Sequence, residues 1–209
     1  MRVLVSAINF GLGPSGKLCS IISNAITHND CFEWYACGDE LDITIYNKNP
    51  FVESCWSKDP FVLSQFVKKN NITVAVVVLD PEIAQLLISI GIKVIYIDSI
   101  PFVWSKADMI PRDATFYCAQ KYPGYIQAKV LEDVKNLIWI NPITIKVLNT
   151  DLRTVKARKK RDNSNYVVIN FGGLHSPYGD CREYYEIIMN ALIPIISEKI
   201  YITGGKNVK

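Results

Sequence analysis

Apolar residues in this chain gather into short, nearly continuous runs rather than strict alternation. Val3 to Ile8, Ile72 to Leu79 and Ile92 to Ile97 are such runs, each bounded by turn residues. Runs of this length predict strands buried on both faces of a parallel sheet. Between them apolar positions recur at helical spacing: Leu18, Ile21, Ile22, Ala25 and Ile26 mark one face of a helix over Gly16 to His28. Pro60 opens a second helix, Phe61 to Lys69, and Pro81 a third, Glu82 to Ile90, which Gly91 closes. Proline at the first helical position loses no hydrogen bond, because the N–H there has no partner within the helix. Cys31 to Cys37 predicts a strand closed by Gly38 and Asp39, and Leu41 to Tyr46 alternates as an edge strand would. Asn47 to Asp59 reads as turn-rich.

Beyond Ile100 the pattern thins. Residues 100–125 are rich in aromatic residues and proline, predicting a long ordered loop, either a packed surface cluster or a lid or acceptor pocket, with a short strand over Ala114 to Cys118. Ile126 to Asp133 predicts a short helix and Leu137 to Ile140 a strand stopped by Asn141 and Pro142. A basic stretch holding Arg153, Lys156, Arg158, Lys159, Lys160 and Arg161 then breaks the apolar period, as a solvated linker does. The opening motif returns after it: a strand over Tyr166 to Asn170, a glycine loop over Phe171 to Gly179, a helix over Arg182 to Ile196 and a strand over Lys199 to Thr203.

Strands joined by helices make this an α/β chain with a Rossmann-like, doubly wound parallel sheet. Residues 1–150 form the first domain in this reading, 151–165 the basic linker, and 166–209 the truncated start of a second Rossmann-like domain. Four elements are too few to bury a core, which leaves the second sheet to a missing remainder or to a partner, such as a second copy that pairs its open edges.

Composition narrows the partners. A net charge of +3 is too mild for a phosphate-tracking surface, so nucleic acid is disfavoured. The 6 cysteines show no C-x-x-C pairing, which points to a reducing cytoplasm and no structural zinc. No stretch has the length of a transmembrane span, and the amino terminus lacks the pattern of a signal peptide.

The candidate chemistry lies in glycine-rich segments and strand-end acids. Asn9 to Lys17 contains Gly11, Gly13 and Gly16 between a strand and a helix, where backbone N–H groups can hold an anion. As Gly11-x-Gly13-x-x-Gly16 it matches a dinucleotide fingerprint, with Asp39 at about the distance of a ribose contact, although Pro14 intrudes. As Gly11-x-x-x-x-Gly16-Lys17 it falls short of a P-loop, since Leu18 stands where Ser or Thr would hold magnesium. Asp80 and Asp98 fall at carboxyl ends of predicted strands, the edge where doubly wound folds bind ligands. Each carboxylate serves either catalysis or the capping of the next turn.

The segments Asn9 to Lys17, Asp98-Ser99 with Pro101 to Trp104, Tyr117 to Gly124 and Asn170 to Leu174 together resemble glycosyltransferases of the GT-B fold. The resemblance implies two facing Rossmann-like domains with the reaction between them. It implies acceptor binding by the first domain around Gly11, Gly13, Ser15, Gly16, Lys17, Ser99 and Trp104, with Asp98 and then Asp80 as catalytic or acceptor-orienting carboxylates. It implies nucleotide-sugar binding by the second domain through Gly172, Gly173, His175, Ser176 and Gly204. The nucleotide-sugar is the donor substrate, and neither metal nor cofactor is implied, because loop N–H groups can stabilise a leaving diphosphate. Some members of the fold carry a histidine base in the first loop; Asn9 and Phe10 stand there in this chain, so that role does not transfer. The alternatives are a non-catalytic small-molecule or dinucleotide-binding module that oligomerises through its incomplete sheet, and weak or absent transfer by the chain alone.

Overall fold

A computed structural model describes residues 1–8, 12–28, 31–38, 50–101, 106–121, 129–143, 166–170, 190 and 199–203. Two compact units divide the chain, the first ending at Ile145 and the second holding the two last strands. The first is a seven-stranded parallel sheet in the order β3-β2-β1-β4-β5-β6-β7. Its strands are β1 (Arg2–Ala7), β2 (Glu33–Cys37), β3 (Phe51–Cys55), β4 (Val74–Val78), β5 (Lys93–Asp98), β6 (Phe116–Gln120) and β7 (Leu137–Ile140). Helices α1 (Leu12–His28), α2 (Pro60–Lys69) and α3 (Pro81–Ser89) are the crossovers.

The centre of the sheet is built from the apolar runs. Val3, Leu4, Val5 and Ala7 of β1 and Ala75 to Val78 of β4 are all buried, and the two strands pair from Val3↔Val74 to Ala7↔Val78. Leu18 and Ile22 of α1, Leu63 and Val67 of α2, and Ile83 and Leu87 of α3 complete the core. Helix ends follow from local chemistry. Asp59 caps α2 by accepting from the N–H groups of Phe61 and Val62 at 2.9 and 3.0 Å, with Pro60 in the first turn. Gly91 turns the chain out of α3 at φ +85°, a left-handed conformation that glycine adopts without a side-chain clash.

Four expectations are corrected. Helix α1 begins at Leu12, so Gly13, Ser15, Gly16 and Lys17 lie inside its first turns and not in a loop. Pro14 is accommodated because the first N–H groups of a helix have no internal acceptor to lose. The segment read as turn-rich contains β3, which pairs with β2 through Trp34↔Phe51 and Tyr35↔Glu53 to Cys37↔Cys55, with a shift between Trp34 and Tyr35. Among the described residues it is one of two edge strands and half-exposed, so it carries no apolar run to betray it. The strand placed at Ala114 to Cys118 is Phe116–Gln120, and the helix placed at Ile126 to Asp133 is, among the described residues, one 3-10 turn, Lys129–Leu131. Leu41 to Tyr46 and the linker lie outside the described residues.

The second unit has strands β8 (Tyr166–Asn170) and β9 (Lys199–Thr203), which pair in parallel as a sheet of their own, Tyr166↔Lys199 to Asn170↔Thr203. Of the helix expected over Arg182 to Ile196, the described residue Asn190 is helical.

Candidate functional site

The chain leaves β1 outward to β2 and β3, then crosses back to lay β4 on the other side of β1. In doubly wound folds such a reversal marks the ligand-binding edge, here the carboxyl ends of β1 and β4. The carboxyl edge around them carries Gly38 after β2, Lys58 after β3, Leu79 and Asp80 after β4, Asp98 and Ser99 at β5, and Gln120 at β6.

Asp80 is 1% exposed and caps α3, its Oδ1 accepting from the Ile83 N–H at 3.2 Å. The Lys58 ammonium lies 3.5 Å from Asp80 Oδ2 and 3.7 Å from Glu82 Oε2. Leu79, directly before Asp80, sits at φ +56°, an uncommon conformation for a branched residue. The fold holds it there through its own N–H, which donates to the Ile97 carbonyl at 3.1 Å, and through burial of its side chain. The twist at Leu79 turns the chain from β4 into the cap, and so fixes where the Asp80 carboxylate stands.

Asp98 is fully buried at the end of β5. Its Oδ1 accepts from the Ile100 N–H at 2.9 Å, which closes the turn after the strand. Its Oδ2 accepts from the Tyr117 hydroxyl at 2.6 Å, a short bond. The register explains the pair. Asp98 faces Ala119 across β5 and β6, so Tyr117, two residues back, shares the face and reaches along it. Its ring packs against Tyr96 at 5.1 Å between centroids. Gln120, also fully buried, accepts from the Ile143 N–H through Oε1 at 3.3 Å and closes the turn after β7.

Lys17 is half-buried in α1, and desolvation pulls its pKa below the usual lysine value. Gly38 takes φ +100° after β2, and a Cβ there would stand 2.8 Å from the Ser6 hydroxyl oxygen. Glycine is therefore required at that turn for two separate reasons, backbone conformation and space.

The structure thus gathers Asp80, Asp98 and Ser99 along one sheet edge, with both carboxylates acting as caps. Lys17, Ser15 and Gly16 belong to α1, the crossover that leaves β1, and Ser15 is 4% exposed while Gly13 is open to solvent. Gly11, Trp104, Gly172, Gly173, His175, Ser176 and Gly204 lie outside the described residues. Two participants escape sequence reasoning. Tyr117 is 19 residues from Asp98, and strand register alone joins them. Lys58 follows β3, the strand hidden among turn residues; its spacing before the Asp59-Pro60 cap was the available signal.

No protein-family model matches the chain, and no curated protein matches it. Solved structures do. UDP-GlcNAc 2-epimerase from Neisseria meningitidis, solved with UDP-GlcNAc bound, aligns at a TM-score of 0.55 and 11% identity over 97% of this chain and 65% of that one. UGT89C1 of Arabidopsis thaliana, a UDP-glycosyltransferase complexed with UDP, aligns at 0.51 and 11% identity over 96% of this chain and 64% of its own. The chain therefore spans just under two thirds of the length of either structure. At such low identity the likeness concerns architecture: the fold is α/β, Rossmann-like and of the GT-B kind.

Proposed function

We propose that the chain is part of a glycosyltransferase that moves a sugar from a nucleotide-sugar to a hydroxyl or amine of a small acceptor. The observation that carries this reading is the GT-B-like fold, shared over nearly the whole chain with two proteins solved with UDP or a UDP-sugar bound. In this reading the acceptor lies at the carboxyl edge of the seven-stranded sheet, beside α1 with Gly13, Ser15, Gly16 and Lys17, and near Ser99, with Gly11 and Trp104 contributing from adjoining segments. Asp98 and Asp80 orient it through the turns they cap. The donor diphosphate belongs to the residues that follow β8 and β9 in the chain: Gly172, Gly173, His175 and Ser176 after the first, Gly204 after the second. Backbone N–H groups there would meet the charge that develops on the leaving diphosphate.

One observation favours a second reading, a nucleotide-sugar-binding module without transfer. Asp98 is fully buried and both its oxygens already accept hydrogen bonds from the protein, so no acceptor proton lies within its reach in this conformation. Chromatography of purified chain incubated with UDP-sugars and a panel of small acceptors separates the two. Transfer predicts free UDP together with a glycosylated acceptor in equal amounts. Bound but unchanged UDP-sugar across the panel would leave the module reading in its place.

A further inference from the structure

Cys37 and Cys55 are register partners at the carboxyl ends of the adjacent parallel strands β2 and β3. Neighbouring strands lie about 4.8 Å apart, inside the window of roughly 4.4–6.8 Å between Cα atoms over which a disulfide closes. Both cysteines are reduced and buried, Cys37 completely and Cys55 to 8% exposure. The buried Asp80 carboxylate acts electrostatically on the Cys37 thiol. Lys58, which reaches Asp80, follows Cys55 by three residues.

We propose that Cys37 and Cys55 form a reversible dithiol–disulfide pair that staples the edge strand β3 to the sheet beside the switch point. The oxidant is a low-molecular-weight disulfide. Cys55, on the outer strand, attacks one sulfur of it as a thiolate, releasing one small thiol and leaving a mixed disulfide. Cys37 then displaces the second small thiol and closes the internal S–S bond. Two protein S–H bonds and one small-molecule S–S bond break, one protein S–S bond forms, and both electrons and both protons leave on the two small thiols.

Burial sets the pace. It raises both thiols above their ordinary value, with the neighbouring Cys55 and Asp80 adding to the rise at Cys37, and Glu53 to that at Cys55. The thiolate fraction is therefore small at neutral pH, and exchange accelerates as pH rises. The staple closes the end of a strand that, among the described residues, has one neighbour in the sheet, and fixes the segment from which Lys58 reaches Asp80. The pair requires nothing of the sugar-transfer reading.

The test is incubation of the whole chain with oxidised glutathione from pH 7 to 9, alkylation under denaturing conditions, and peptide mass mapping. The expected result is a Cys37–Cys55 cross-linked peptide about 2 Da lighter than its reduced parts, formed faster at the higher pH and reversed by a thiol reductant. The oxidised chain melts several degrees higher than the reduced one. In Cys37→Ser, Cys55 is expected to stay trapped as its glutathione adduct. Recovery of both cysteines as free alkylated thiols after prolonged exposure at pH 9 would overturn the pair, as would linkage of either to a different cysteine.

Discussion

Tyr117 decides what kind of carboxylate Asp98 is. A fully buried acid at a strand end is expensive unless donors surround it, and here the hydroxyl at 2.6 Å and the Ile100 N–H supply them. Tyr117→Phe removes one of these donors from the buried Asp98 Oδ2, so we expect a loss of about 1–3 kcal/mol in urea unfolding. Asp98→Asn together with Tyr117→Phe should cost less than the two separate losses combined, because the pair acts as a unit. Titration at single residues also has a defined sign. Lys17 has its folded pKa below its unfolded value of 10.5, so between the two the unfolded chain holds the extra proton and stability rises with pH. Cys37 runs the opposite way: above its ordinary 9.0 the unfolded thiol ionises while the buried one stays protonated, and stability falls. Cys55 and Cys118 share that direction. Urea midpoints measured from pH 8 to 10.5 should therefore decline above pH 9, less steeply in Cys37→Ala and more steeply in Lys17→Met.

Elements show where the sequence is transparent and where it is opaque. β1, β4 and β5 are legible because a strand buried in a parallel sheet must be apolar along its length, and few other structures ask for that. β3 is opaque because an edge strand needs only half that burial; Val52 is 63% exposed, and Glu53 takes its partners, Lys69 and Asn70, from the end of α2. The start of α1 is opaque for a different reason. Three glycines and a proline describe a loop by propensity, yet the first helical turn forgives proline, and tertiary packing of Leu18 and Ile22 carries the helix back to Leu12. Asp80 and Asp98 could be placed at strand ends from the sequence, with capping as one of two roles open to each; the backbone geometry two or three residues ahead shows both caps. Two substitutions test the element-scale account. Gly38→Ala forces a Cβ to 2.8 Å from the Ser6 hydroxyl oxygen at φ +100°, so it should destabilise by about 1–3 kcal/mol, measured by chemical unfolding. At the start of α3, Asp80→Asn keeps a cap acceptor and Asp80→Ala does not, so the alanine variant should lose about 1 kcal/mol more than the asparagine one.

At the scale of the molecule, the seven-stranded sheet and the paired strands β8 and β9 carry the GT-B-like likeness, and no helix among the described residues is long and apolar enough to cross a membrane. The functional claim narrows to one property, recognition of a uridine nucleotide by a chain whose fold resembles two proteins solved with such ligands. A ligand that binds only the folded form raises the melting temperature by mass action, about 2.7 kcal/mol of added stability at 100-fold above its dissociation constant. Thermal melting of the purified chain with UDP, a set of UDP-sugars and NAD at equal concentrations therefore addresses the claim directly. The account predicts an upward shift that grows with UDP or UDP-sugar concentration and no shift with NAD. A melting temperature that rises with NAD and ignores every uridine nucleotide would contradict it.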